Sequence, residues 1–312
     1  MNPNTESKQP AYKTNIWVPH KNGLGIKNWI IDQTSAHAYS WKFYLGVFRA
    51  IVKGSKLMRY PVLGKIYKTL MLFSKETQHT SATVYNLNVD VSELGESVAV
   101  PMDLVKDAIR QASFIASMKT CLCRDAQNCK DYPLDVCCLF LSKAGKRVIS
   151  HDIAYEISKE EALKRVDEAA RLGLICQSLW VEIEQFIWGF ANDEMENFME
   201  ICFCCPCCCV GFNLSRNASR EIKERFRPVG WTAVVDEEIC VGCGECCPPG
   251  LCPQEAIAVI GAKAAIVQDY CVGCGMCKAR CPHGAIKIHN TSPMLGSMKE
   301  YFIKEGGLDL HF

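Results

Sequence analysis

The sequence predicts an α+β fold, with a mostly helical N-terminal region and cysteine-rich central region ahead of a small C-terminal domain built on a doubled cysteine run. Three observations lead there. The chain of 312 residues carries a net charge of +1 and is 49% hydrophobic, enough to bury one sizeable core and a small second domain and not the profile of a disordered or collagen-like chain. Its 21 cysteines are unevenly placed: none precedes residue 121, a dense set follows up to residue 209, and a regularly spaced set begins at 240. Apolar residues at helical spacing precede the cysteine-rich stretches. The expected division is 1–97 for an arm and basic helices, 98–215 for the cysteine-rich domain, 216–231 for a linker, 232–290 for the C-terminal domain and 291–312 for a tail.

At the N-terminus, "WVPHKNGLG" and "WIIDQT" read as irregular arms. Between Trp41 and Lys75 there is no acid, while Lys42, Arg49, Lys53, Lys56, Arg59, Lys65, Lys68 and Lys75 interleave with Tyr44, Val47, Phe48, Ile51, Leu63, Ile66, Leu70 and Phe73. That pattern gives two amphipathic helices broken around Gly54 and Pro61. No run is apolar enough to span a bilayer. A basic amphipathic helix can lie on anionic lipid, dock on an acidic partner, or simply pack on the neighbouring domain.

In the central region Met102, Val105, Ile109, Ala112 and Ile115 recur at helical spacing, so a helix is expected from Pro101 to Met118, running into Cys121. Ser158 with Glu161 three residues on is a capping box, with Gly173 as the stop of that second helix. A third helix is expected from Asp193, running into "ICFCCPCCC". Both cysteine groups would then follow helices. The first is Cys121, Cys123, Cys129, Cys137 and Cys138; the second is Cys202, Cys204, Cys205, Cys207, Cys208 and Cys209. Six thiols in eight positions point in several directions and cannot all enter one apolar core, so metal ligation by a subset, with ligands drawn from both groups, is the reading that fits. Vicinal disulfides would strain the bond geometry. Cys176 in "GLICQSLW" reads as a small buried hydrophobe, and Arg124 beside Cys123 as a counter-charge for thiolates. The stretch "EEALKRVDEAARLGLICQS" also has the form of a winged-helix unit, but the acidic "VEIEQFIWGFANDEMENFME" after it argues against nucleic acid.

In the C-terminal region cysteines fall at 240, 243 and 246, then at 252 before Pro253, and again at 271, 274 and 277, then at 281 before Pro282. Structural zinc closes with four ligands in two pairs and leaves a third cysteine at the same step, twice, without a role. Residues 232–289 resemble the bacterial 2x4Fe-4S ferredoxins, with "CVGCGEC…CPQEAIAV" repeating as "CVGCGMC…CPHGAIKI". The resemblance implies two 4Fe-4S clusters, in which the fourth cysteine of each run serves the other cluster. Cys240, Cys243, Cys246 and Cys281 would hold one, and Cys271, Cys274, Cys277 and Cys252 the other. The first run departs from the pattern by five residues between its third and fourth cysteines, which makes Cys247 an extra, non-ligating thiol. More loosely, residues 98–290 look like uncharacterised ferredoxin-like proteins of anaerobes with an added cysteine-rich domain, a likeness that brings no assigned activity. The paired Cys-Cys-Gly motifs of the heterodisulfide reductase cysteine-rich subunit offer a further comparison, but Cys138, Cys205 and Cys209 are followed by Leu139, Pro206 and Val210.

Taking the eight assigned ligands from 21 cysteines leaves 13, enough for at least one additional iron–sulfur cluster. The expected function is a multi-cluster electron-transfer protein whose ferredoxin domain relays single electrons to or from a central cluster. Two rivals are a reductase with an unusual central cluster as its active site, and a metal or cluster handling module. His151 and Asp152 are the sole acid–base pair near the central thiols in sequence, and they do not make a catalytic set. The absence of an apolar signal-peptide core in "MNPNTESKQPAYK" leads us to expect reduced thiols in the cytoplasm. The oxygen sensitivity of exposed clusters points to anaerobic surroundings, electron relay to a redox partner protein, and the basic helices of 41–75 to contact with a membrane's inner face or an acidic protein.

Overall fold

The computed structural model describes residues 39–70, 81–88, 101–180, 187, 188, 190, 194, 198–218, 220–224, 226–293 and 295–306. The arms before residue 39 and the end of the basic stretch at 71–75 lie outside them. Helix α1 (Trp41–Ser55) begins where Ser40 accepts a hydrogen bond from the Phe43 N–H. Its Tyr44, Phe48 and Ile51 are buried, and the helix packs on α4 (Leu122–Ala126) and α7 (Val210–Asn217). Polar contacts fix the same packing: Trp41 Nε1 donates to Asp125 Oδ2 at 2.6 Å, Arg49 Nε to the Ala126 carbonyl at 2.7 Å, and Asn217 Nδ2 to Ser55 Oγ at 2.9 Å. Plain packing therefore accounts for the apolar face of α1. Gly54 stays helical, and the break comes at a 3-10 turn (Lys56–Arg59) before α2 (Pro61–Leu70). On α2, Tyr67 is buried, but Val62, Leu63 and Ile66 face solvent. Among the described residues no helix is long and apolar enough to cross a membrane.

A seven-stranded sheet organises the centre. Its strands are β1 (Ser81–Tyr85), β2 (Ile115–Met118), β3 (Leu139–Leu141), β4 (Ala154–Glu156), β5 (Ile175–Trp180), β6 (Met199–Cys204) and β7 (Phe226–Pro228), in the order β4-β2-β3-β6-β5-β1-β7. Neighbours are antiparallel except for the parallel pair β1 and β7. The helices α3 (Pro101–Gln111), α5 (Lys143–Ser150) and α6 (Lys159–Arg171) pack against it. The capping box of α6 is formed: Ser158 Oγ accepts from the Glu161 N–H at 3.1 Å, and Glu161 Oε2 from the Ser158 N–H at 2.9 Å. Gly173 closes that helix with φ +68°, a conformation that costs a residue without a side chain little.

Two expected helices are corrected. The one expected from Pro101 to Met118 stops at Gln111, and Ile115 to Met118 form strand β2, buried along its whole length between β3 and β4. Of the helix expected from Asp193, residues 193 and 195–197 lie outside the described residues, and Met199–Cys204, which carries Cys202 and Cys204, is strand β6, so the second cysteine group begins in a strand. In both places pairing inside a sheet with two covered faces outweighs a weak local helical preference. The stretch expected as a linker carries α8 (Arg220–Lys223) and the edge strand β7.

The C-terminal module holds two antiparallel strand pairs, one closing its two ends and one a hairpin. Strand β8 (Trp231–Val235) pairs with β11 (Ile286–Asn290), and β9 (Ile257–Ile260) with β10 (Lys263–Ile266), with a short helix α9 (Met276–Arg280) between. A last helix, α10 (Met298–Gly306), returns to α3 and β1.

Candidate metal centres

The doubled run of the C-terminal module builds two cavities, and each draws cysteines from both halves. One is lined by Cys271, Cys274, Cys277 and Cys252, together with Cys246, which borders both cavities, and Ala233, Ile257 and Val272. The other is lined by Cys240, Cys243, Cys246 and Cys281, with Ala264 and Ile286. They enclose about 380 and 280 Å³ of space free of protein atoms, part of it open to solvent. Backbone amides aim at the sulfurs from the partner half or the following turn. Ala233 N–H points at Cys271 Sγ at 3.4 Å, Ala264 N–H at Cys240 Sγ at 3.3 Å, Ala256 N–H at Cys252 Sγ at 3.2 Å and Ala285 N–H at Cys281 Sγ at 3.3 Å. Such donors favour the thiolate and tune any cluster it holds. They hold the Cys240 thiol below its ordinary range, with the Ala264 amide first among the causes. The loops fit because Gly242 and Gly273 have no side chain: a Cβ there would come 2.3 Å from the Ala262 and Trp231 carbonyl oxygens, and both have positive φ. Cys247 lines neither cavity; its sulfur lies 3.5 Å from the Gly244 carbonyl and interacts with Cys246.

The central thiols are arranged differently. Side chains alternate across a strand, so on β6 Glu200, Cys202 and Cys204 share one face and Met199, Ile201 and Phe203 the other. Register extends that face. Gln177 of β5 lies opposite Cys202, Ile175 opposite Cys204, and Leu139 opposite Ile201, which sets Cys138 beside Cys202. Cys138 Sγ is 2.9 Å from Cys202 Sγ, and Cys202 Sγ is 3.0 Å from Glu200 Oε1. Gln177 Nε2 donates to Cys204 Sγ at 3.0 Å and to Cys209 Sγ at 3.6 Å. Cys123 and Cys204 both hydrogen-bond Cys209, which is thereby held well below the ordinary thiol range. The Cys123 thiol is pushed up by the same contact with Cys209, then by burial. The result is a row of five sulfurs on one sheet face: Cys138, Cys202, Cys204, Cys209 and Cys123.

A second group lies in the loop after β6. The sulfurs of Cys129, Cys205, Cys207 and Cys208 all lie within 4.8 Å of one another, and Cys207 is exposed. The Cys207 thiol is held below its ordinary range by hydrogen bonds from Cys205 and Cys208.

Two predicted residues stand apart. Cys137 points to the opposite side from Cys138; its Sγ donates to the Met118 carbonyl at 2.8 Å and lies 3.8 Å from Arg165 Nη1. Cys121 is buried at the start of α4, and burial raises it to about 11 against the pull of Arg124. Cys176 is buried in the main core, as expected of a small hydrophobe. His151 sits beside Arg147 and Glu194.

One buried and one half-buried arginine serve the thiols. Arg124 is fully buried, with its guanidinium bonded to the Phe203 carbonyl at 3.1 Å and to the Val136 carbonyl. Burial opposes its charge, but Cys121, Cys205, Cys204 and Cys138 outweigh that and raise its pKa. Arg216 lies within electrostatic reach of Cys209, Cys207 and Cys252, although burial is the larger effect and lowers it. Both arginines keep a buried Nε without a partner. Orphaned cationic donors beside crowded thiols fit a negatively charged thiolate-ligated group. Sequence reasoning missed Glu200, Gln177 and Arg216. The signal for the first was the two-residue alternation in "MEICFC", which reads as a strand with its acid and thiols on one side.

A family model for the 4Fe-4S binding domain matches residues 264–287. That segment contains Cys271, Cys274, Cys277 and Cys281. Comparison with curated proteins gives no match. The chain thus carries an iron–sulfur binding segment, and its grouped cysteines extend the thiol chemistry beyond it.

Proposed function

We propose that this protein is a multi-cluster iron–sulfur electron-transfer protein, in which two 4Fe-4S clusters of the C-terminal module exchange single electrons with a further cluster on the thiol face of the central sheet. An iron–sulfur cluster, when bound, supplies the one-electron redox change. The chain supplies ligands, counter-charge, hydrogen bonds to sulfur, and distance. One observation carries the reading: Val272, Cys274 and Met276 of the C-terminal module pack into the same apolar cluster as Cys202, Cys204 and Cys209.

The surrounding contacts support a fixed junction. Gly275 sits so close to the central domain that a Cβ there would come 2.7 Å from Asn86 Nδ2. Ser215 of α7 hydrogen-bonds Gln254, and Lys223 Nζ donates to the Gln254 carbonyl at 2.8 Å. Charges across the junction are complementary: Arg59 and Lys223 face Glu255 at 3.5 and 3.9 Å, and Arg220 faces Asp269 at 3.9 Å. Arg216, half-buried, lies within electrostatic reach of both a thiol-face sulfur, Cys209, and a C-terminal sulfur, Cys252.

The test is iron and acid-labile sulfide content with EPR of the reduced, anaerobically purified full-length protein. The C-terminal pair accounts for about eight iron atoms as two cubanes, and the proposal expects more, with a further reducible signal. Cys202→Ser should remove that signal while Cys137→Ser keeps it. Protein holding the C-terminal clusters alone, with the thiol face open to alkylation, would overturn the relay.

A further inference from the structure

The loop group Cys129, Cys205, Cys207 and Cys208 differs from the other thiol sets in size. Its sulfurs lie within 4.8 Å of one another, with Cys129 Sγ 3.9 Å from Cys207 Sγ and Cys208 Sγ 3.3 Å from it. In a tetrahedral thiolate site with metal–sulfur bonds of about 2.3 Å, the sulfurs stand about 3.8 Å apart. A cubane places one iron under each thiolate and spreads four ligand sulfurs much further, around a volume such as the C-terminal cysteines enclose. The row on the sheet face, with five sulfurs and a carboxylate, offers more donors than one ion accepts. The loop group offers four.

We propose that Cys129, Cys205, Cys207 and Cys208 form a mononuclear tetrahedral site for one soft divalent ion, zinc or iron, separate from the iron–sulfur clusters. The backbone is shaped for it. Cys205 and Cys208 have the C-x2-C spacing of a metal knuckle, and the Cys208 N–H bonds to the Cys205 sulfur. Cys129 arrives from the turn after α4, where Asn128 takes a left-handed conformation at φ +52° and the Cys129 N–H bonds to the Arg124 carbonyl at 2.9 Å. Asn213 Nδ2 braces the knuckle through the Cys207 and Cys209 carbonyls at 3.2 and 2.9 Å.

Four thiolates close the coordination shell, so the ion has no open position for substrate. Its role is to tie the α4 turn to the loop after β6, and thereby to hold the two segments that also present Cys123 and Cys209 to the sheet face. This inference stands independently of the relay, because it concerns sulfurs on a different loop and predicts no inorganic sulfide.

The experiment uses the full-length protein purified anaerobically, with zinc, iron and labile sulfide measured in wild type, Cys207→Ser and Cys129→Ser. Each variant should lose about one metal ion per chain with labile sulfide unchanged. Cys207 is exposed, so its replacement tests the site with least risk to folding. X-ray absorption at the edge of the lost metal should show sulfur neighbours and no second metal, and the element found decides between zinc and iron. Labile sulfide falling together with iron in Cys129→Ser, a metal–metal neighbour, or wild-type metal content untouched by either variant would each overturn the proposal. A missing thiol-face signal in the same wild-type sample would count against the relay alone.

Discussion

The C-terminal module and the central sheet both gather cysteines, but they gather them by opposite means. In the module, short loops with glycines at positive φ wrap thiols around enclosed space, and backbone amides point at the sulfurs. In the sheet, thiols stand side by side along strand and loop with little space between them, and side chains do the work of neutralising them. Local sequence places most of the first arrangement, because spacing within one loop sets three thiols of each set, and the fourth comes from the other half. The second needs strands brought together from distant parts of the chain, and a fully buried arginine to make the crowding tolerable.

Four changes would break or sharpen this contrast. The largest effect should come from Gly273→Ala, which places a Cβ against the Trp231 carbonyl in a positive-φ loop. We expect the C-terminal module to lose its iron while far-ultraviolet circular dichroism keeps the central sheet; retention of full iron would show that the loop can yield. Next, Cys281→Ser should remove about four iron atoms, those beside Cys240, Cys243 and Cys246, while Cys247→Ser leaves iron content unchanged. Equal losses from the two variants would mean that Cys247 competes as a ligand.

Arg124→Gln tests the other arrangement. Removing a buried cation among thiolates should cost about 3 kcal/mol in denaturant unfolding and lower thiol-face metal content, with the C-terminal iron intact. Arg124→Lys should not restore it, since a single ammonium cannot reach both the Phe203 and Val136 carbonyls. The smallest effect on stability, within about 0.5 kcal/mol, is expected for replacing exposed Val62, Leu63 and Ile66 with serine. Salt-sensitive binding to anionic vesicles should nevertheless fall if α2 is a docking surface, since exposed charges are screened within about 8 Å at physiological ionic strength. Binding that is unchanged would leave α2 without that role. Truncation of the whole basic stretch is the poorer test, because α1 buries Tyr44 and Phe48 in the main core.

By itself the sequence determined the doubled cysteine spacing of the C-terminal module, the buried Cys176, the α6 capping box and the placing of Arg124 among the thiols. All of these rest on local spacing or on a residue's own chemistry. The tertiary structure decided the rest. Whether residues 115–118 and 199–204 are helix or strand depended on partners far away in the chain, and only the strand alternation of β6 separates Cys202 and Cys204 from Phe203. Cys137 and Cys138 are neighbours in sequence, yet one faces the Met118 carbonyl and the other Cys202, because adjacent residues entering a strand point to opposite faces. No spacing rule could divide eleven central thiols into a sheet-face row, a four-sulfur loop and two outliers, since that division is made by register between strands and by the meeting of two loops that are distant in the chain.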